Sequence, residues 1–171
     1  SLAAVEGVLL VVDATQGVQA QTVANLALAQ DAGLTIVPVI NKIDLPTADP
    51  DAAIEQLMDV MHFDPSIAIL TSAKTGVGVP DALDAIVNLV PPPLGCVSAP
   101  LQALVFDSFY DSYRGIVVLV RVVNGSIRKG DQIRPMRSAT KVGHSFVVDS
   151  VGYLAPHEVP ADVLRAGDVG Y

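Results

Sequence analysis

Gly7-Val8-Leu9-Leu10-Val11-Val12-Asp13 is an almost unbroken run of β-branched and aliphatic residues that ends in an acid and a turn, Asp13-Ala14-Thr15-Gln16-Gly17. A strand exposed on one side alternates apolar with polar residues. A continuous apolar run instead predicts a parallel strand buried on both faces. Residues 18–32, rich in Ala and Gln, predict a helix closed by Gly33, where a left-handed cap is wanted. Thr35-Ile36-Val37-Pro38-Val39-Ile40 predicts a second strand. Asp49-Pro50 then supplies a capping side chain followed by proline at the first helical position. In that helix Ile54, Leu57, Met58 and Met61 share one apolar face, with the two methionines as core filler. Ile67-Ala68-Ile69-Leu70-Thr71 predicts a third strand leading into a turn at Gly76 and Gly78. Pro80 opens another helix, in which Leu83, Ile86, Val87 and Val90 repeat the apolar spacing. Strands alternating with helices predict an α/β unit of right-handed crossovers on a parallel sheet.

Pro91-Pro92-Pro93 stops the last helix, because proline lacks the N–H donor and restricts the residue before it. The period then becomes strand-like over Leu101 to Phe106, Gly115 to Val123, Gln132 to Met136 and Ser145 to Val151. Asn124-Gly125, between Val122-Val123 and Ser126-Ile127, predicts a tight hairpin whose two central residues both take positive φ. Lys129-Gly130-Asp131 marks the next turn. Short strands with regular turns predict a small antiparallel barrel. The expected organisation is a first domain at 1–93, a semi-rigid linker at 94–100 and a barrel at 101–171.

Apolar residues make up 51% of the 171, yet the runs are short. A spanning helix takes roughly 20 predominantly apolar residues in a row, and no segment qualifies. The single cysteine, Cys96, excludes an internal disulfide framework and favours a reducing compartment. Residues 1–99 carry eleven acids against two lysines, and residues 100–171 seven acids against eight Lys and Arg. A net charge of −9 in the first part argues against a grip on nucleic-acid phosphates there, so any RNA contact is expected in the second part.

In an open parallel sheet, ligands bind outside the carboxyl ends of the strands. Those ends are Asp13-Ala14, Asn41-Lys42-Ile43-Asp44 and Thr71-Ser72-Ala73-Lys74, with Ser72 standing 28 positions after Asp44. Asn-Lys-x-Asp by itself occurs by chance in loops and caps. Paired with Ser-Ala-Lys after a matching strand, it resembles the nucleotide-specificity loops of the P-loop GTPase superfamily. The chemistry suits that resemblance. The Asp44 carboxylate offers two acceptors to the adjacent ring N–H and exocyclic amino group of guanine, a pair adenine does not present. A mismatch that leaves a buried carboxylate unpaired is how hydrogen-bonding sites reach discrimination of about 10⁴. The resemblance further implies that Asn41 bonds the other polar edge of the base and that the stem of Lys42 lies along the ring. It places the Ala73 N–H on the base oxygen, with Ser72 in the same loop and Lys74 over the opposite face.

Further segments narrow the family. Val11 to Val18 and Gln21-Thr22 look like the segment after the magnesium-binding switch in GTPases of translation. Pro100-Leu101-Gln102-Ala103-Leu104, Phe106-Asp107-Ser108-Phe109-Tyr110-Asp111, Tyr113-Arg114-Gly115, Val151-Gly152-Tyr153 and Leu164 to Tyr171 resemble the elongation factor 4 family, the LepA-type translational GTPases. Essentially the whole chain is covered. The resemblance implies a partial P-loop GTPase parallel sheet with flanking helices, namely the carboxyl-terminal half of a GTP-binding domain, followed by the translation-factor β-barrel. It implies GTP or GDP with magnesium as cofactors of the full-length parent, the ribosome as partner, and GTP hydrolysis that remodels translocation states. The implied location is bacterial cytoplasm or an organellar matrix, on ribosomes and peripherally at the inner membrane. A non-catalytic ribosome-binding or assembly module, and another translation-factor GTPase, are the alternatives.

The sequence contains no Gly-x-x-x-x-Gly-Lys-Ser/Thr loop and no Asp-x-x-Gly-His. Phosphoryl transfer needs a phosphate loop, magnesium and a positioned water, so these residues alone are expected not to hydrolyse GTP and to bind guanine nucleotide weakly. His62, His144 and His157 lack metal spacing. Tyr110, Tyr113 and Arg114 are candidates either for ribosomal RNA or for packing the barrel against the first domain. Arg128, Lys129, Arg134, Arg137 and Lys141 are either a phosphate-binding edge or solvated charges. A parallel sheet without its first strands exposes an edge that invites self-association.

Overall fold

The computed structural model describes residues 2–136 and 145–171, and the roles expected of Arg137, Lys141 and His144 lie outside them. Two compact units are present, Ala4–Pro92 and Pro93–Tyr171.

The first unit contains β1 (Gly7–Asp13), α1 (Ala20–Asp31), β2 (Thr35–Asn41), α2 (Pro50–Met61), β3 (Ile69–Leu70) and α3 (Val79–Leu89). The strands form one parallel sheet in the order β1-β2-β3, with Asp13 opposite Asn41 and Ile40 opposite Leu70. The three carboxyl ends therefore lie side by side. Leu10, Val12, Leu26, Ile40, Ala53 and Leu57 make the core, and burying a side chain such as Leu57 contributes about 1.5–3 kcal/mol. Gly33 adopts φ +67°, and its N–H reaches Gln30 O at 2.9 Å while Leu34 N reaches Ala29 O at 3.1 Å, the expected left-handed closure of α1. Asp49 caps α2, its Oδ1 accepting from Ala52 N at 3.0 Å.

Four expectations need correction in this unit. β1 is buried on one face only: Leu10 and Val12 point into the core, while Leu9 and Val11 on the other face are 39% and 55% exposed, because no layer among the described residues covers that side of the sheet. The third strand is only Ile69–Leu70, because Asp64 accepts from Ser66 N at 2.9 Å and folds Pro65–Ile67 into a 3-10 turn. Met61 packs against the core, but Met58 is exposed. On α3 Ala82 is buried and the expected Ile86 and Val90 are half-buried, while Leu83 and Val87 are 58% and 80% exposed, so only part of the expected apolar face turns inward.

The second unit carries β4 (Gln102–Asp111), β5 (Gly115–Asn124), β6 (Ser126–Arg128), β7 (Gln132–Ile133), β8 (Phe146–Val147), β9 (Val151–Ala155), β10 (His157–Ala161), β11 (Val163–Arg165) and β12 (Val169–Gly170). All their pairings are antiparallel: β4 and β12 flank β5, while β6 pairs with β11, β7 with β8, and β9 with β10. Gly152 and Tyr171 exchange N–H to O bonds of 3.1 and 2.9 Å, joining β9 to the chain end beyond β12. Val122, Ile127, Val148, Val151 and Leu164 form this unit's own core.

Asn124-Gly125 is not a hairpin. β5 and β6 pair with different strands, and of the two residues only Gly125 has positive φ, at +74°. It is a corner where the chain changes sheets. A Cβ on Gly125 would come within 2.7 Å of Ala99 O and 2.8 Å of Leu101 Cα, so backbone crowding explains the glycine. Asn124 Oδ1 accepts from Cys96 N at 2.9 Å, and Gly125 N donates to Cys96 O at 2.9 Å, which docks the segment after the prolines on this unit. Two expected strands are shorter than their apolar patterns, at Gln132–Ile133 and Phe146–Val147. The first runs longer, through Asp111, because Asp111 Oδ1 accepts from Tyr113 N and Arg114 N and closes a β4–β5 turn.

Candidate nucleotide-binding site

The three strand ends are cross-linked through their backbones. Ala14 N donates to Asn41 O at 2.8 Å, Asp49 N to Ala14 O at 2.9 Å, Thr71 N to Ile40 O at 2.7 Å and Ile43 N to Thr71 O at 3.3 Å. Each loop is thereby held relative to its neighbours before any side chain is considered.

Between them lies an open pocket of about 290 Å³, lined by Asn41, Lys42, Asp44, Leu45, Ala73 and Lys74. Five of these belong to the two sequence motifs. The sixth expected residue, Ser72, sits beneath the pocket, fully buried, where its hydroxyl donates to Asp44 Oδ1 at 2.7 Å and accepts from Thr75 N at 3.2 Å. A carboxylate oxygen has two lone pairs, so Ser72 orients Asp44 and leaves acceptor capacity towards the pocket. Asn41 Oδ1 accepts from Ala73 N at 3.1 Å and from Thr71 Oγ1 at 3.3 Å, which clamps the second loop onto the third. Its amide NH₂ is left as a donor without a partner among the described residues. The Ala73 N–H, expected to meet a base oxygen, is engaged by Asn41 in this arrangement.

Lys42 sits in the left-handed region with φ +67°, a conformation costing about 1–3 kcal/mol in a residue with a Cβ. Its Nζ lies 2.6 Å from Asp13 Oδ2. Asp13 is held in turn by Thr15, whose N and Oγ1 both donate to Oδ1, at 2.8 and 2.7 Å. The Lys42 bond first, then those from Thr15, hold the Asp13 carboxyl down at about 2. Two neighbours were not singled out from sequence. Leu45 lines the pocket, its only signal its place directly after Asp44. Asp13 was visible as a strand end, but nothing in its spacing links it to Lys42.

The other candidates lie elsewhere. Arg114 is paired with Glu158 and Asp111 and stands 5.4 Å from the Tyr171 ring centroid, so within the second unit it has a packing role. Tyr113 at the β4–β5 turn is 99% exposed, and Tyr110 is 76% exposed. Arg128, Lys129 and Arg134 are exposed. His62 ends α2 and His157 lies on β10, and no group of three or more His, Cys, Asp or Glu among the described residues is placed to hold a metal.

A model of the elongation factor Tu GTP-binding domain matches residues 1–92. Over all 171 residues the chain is 52% identical to elongation factor 4 of Gloeobacter violaceus and covers 28% of that protein. It is 53% identical to elongation factor 4 of Synechocystis sp., again covering 28%. It is also 53% identical to the chloroplastic translation factor GUF1 homolog of Physcomitrium patens, of which it covers 23%. The chain therefore spans between a quarter and a third of the length of most of these relatives. The crystal structure of apo translation elongation factor SelB from Methanococcus maripaludis superposes with a TM-score of 0.73 over 99% of this chain and 37% of that one, at 23% identity, a likeness of fold.

Proposed function

The chain belongs to the elongation factor Tu GTP-binding domain family, and from that premise we propose that it carries the guanine-reading half of a nucleotide site in a translational GTPase of the elongation factor 4 kind. The observation that carries this reading is the Asp44 carboxylate, held at the end of β2 by the buried Ser72 hydroxyl and facing the same pocket as Asn41 and Lys74. It supplies two fixed acceptors for the guanine ring N–H and amino group. Asn41 supplies the neighbouring NH₂ donor, and the stem of Lys42 and Leu45 supply apolar surface for a ring face. For the Ala73 N–H to meet the base oxygen, it must share or exchange its bond to Asn41.

These residues are read as the base-binding part of the site. Magnesium would accompany the phosphates, and the sequence lacks the phosphate loop and the Asp-x-x-Gly-His motif that phosphoryl transfer calls on. The 171 residues by themselves are accordingly proposed to bind GTP or GDP weakly and not to hydrolyse GTP. In the full protein, the proposed activity is ribosome-associated GTP hydrolysis coupled to remodelling of translocation states, in bacterial cytoplasm or an organelle. We read residues 1–93 as the base-reading part of the GTP-binding domain, 94–100 as its linker and 101–171 as the second, barrel domain, with Tyr110 and Tyr113 free to stack on ribosomal bases. The unpaired edge of β1 is further proposed as a surface for self-association.

The test is GTP and XTP hydrolysis by the full protein, with and without ribosomes, comparing the wild type with Asp44→Asn. The amide replaces one acceptor by a donor, so GTP turnover should fall and the preference should shift towards xanthine. An unchanged GTP to XTP ratio overturns the assignment of Asp44. Nucleotide binding without ribosome-stimulated turnover would instead identify a non-catalytic ribosome-binding module.

A further inference from the structure

We infer that Asp13, which lies outside both guanine-reading motifs, is a positioning residue for base recognition that anchors the Lys42 ammonium so that the lysine stem forms a fixed wall of the pocket. This rests on the proposed guanine site. The geometry is direct: Asp13 ends β1 opposite Asn41 in the sheet register, and its Oδ2 meets Lys42 Nζ at 2.6 Å. A lysine on a loop carries up to about 2 kcal/mol of rotamer entropy and would sweep across an open pocket if unanchored.

Two further features show that the anchor is itself fixed. Asp13 Oδ1 is taken by Thr15 through both its N–H and its hydroxyl, which leaves Oδ2 as the oxygen presented to Lys42. Gln16 N and Gly17 N both donate to Asp13 O, at 3.1 and 2.8 Å, so the turn behind the carboxylate is closed. The root of the lysine is fixed as well: its backbone is left-handed, with φ +67°, and its carbonyl accepts from Leu45 N at 3.1 Å, which closes the turn after β2. With its head engaged by Asp13, the lysine presents four methylenes to the pocket rather than a charge. The base is thus stacked by a hydrocarbon surface, while its edge is read by Asp44 and Asn41.

The test is a double-mutant cycle on the full protein, with GDP and XDP affinities measured by fluorescent-nucleotide displacement. Asp13→Asn keeps an acceptor for Thr15 and removes the charge. Lys42→Met keeps an unbranched apolar chain and removes the ammonium. Each single variant should weaken GDP binding about three- to tenfold, and the double variant no more than either alone, because one interaction is lost in all three. The GDP to XDP ratio should stay at the wild-type value in each, since Asp44 sets it. Multiplicative losses in the double variant overturn the inference, because an Asp13 that merely supports the fold acts independently of Lys42. An Asp13→Asn protein with unchanged affinity overturns it as well. Should Asp13→Asn fail to fold, Thr15→Val, which loosens the carboxylate without touching the pocket, must weaken GDP binding in the wild-type background and not beside Lys42→Met. Asp44→Asn run in parallel separates the two levels: if it leaves the GDP to XDP ratio unmoved, the site assignment fails, and if it inverts the ratio while the cycle is additive, only the role of Asp13 fails.

Discussion

At the scale of single residues, the site is a set of side chains whose polar atoms are already committed to one another. Ser72 aims Asp44, Asn41 ties its loop to Ala73 and Thr71, and Asp13 holds Lys42. Order of this kind lowers the entropy that a ligand must remove on binding. Asp13 offers a pH test with a definite sign. Its carboxyl lies at about 2 in the folded chain against an ordinary 3.8, so its pairing stabilises the fold in full above the ordinary value. That contribution is lost as the pH falls from near 4 towards 2. Carbon-detected NMR of the Asp13 carboxyl should therefore show a midpoint well below that of a free aspartate, and Lys42→Met should raise it. A midpoint at the ordinary value in the wild type would show the pair to be absent in solution.

At the scale of elements, periodicity located the helices well and their inward faces in part. Leu83 and Val87 stand at the spacing of an inward face, yet α3 turns Ala82 inward with the half-buried Ile86 and Val90 and leaves those two exposed. The exposed residues should then be energetically idle. Val87→Gln is expected to change stability by no more than about 0.5 kcal/mol in thermal unfolding, whereas a residue in the core would cost several times that. A loss of 2 kcal/mol or more would place Val87 in a packed interface. The Asn124-Gly125 corner teaches the complementary point. Its residues satisfy the local rule for a tight hairpin, but their conformation is decided by the backbone of Ala99 and Leu101 pressed against Gly125, and by Cys96 and Gln102 bonded to the Asn124 side chain.

At the scale of the whole molecule, each unit has its own core, and the first has a sheet with an unpaired edge. Among the described residues β1 pairs only with β2, and Val11 on it is 55% exposed. An apolar strand with free N–H and C=O groups favours pairing with another chain. Light scattering of the 171-residue chain should show association that grows with concentration and is suppressed by Val11→Lys; a monodisperse monomer at high concentration would overturn this. The sequence by itself determined the alternation of strands and helices and the change to antiparallel structure after the prolines, and through a motif resemblance it singled out the proposed site residues Asn41, Lys42, Asp44, Ser72, Ala73 and Lys74, because apolar period, caps and motif spacing are local quantities. Only the tertiary structure decided that Asp13 grips Lys42, that Leu45 lines the pocket, that α3 faces inward through Ala82 and that Asn124-Gly125 is a corner. Each of these depends on which strand ends lie side by side and how closely two backbones approach. Contacts between residues far apart in the chain set those distances, and no local pattern encodes them.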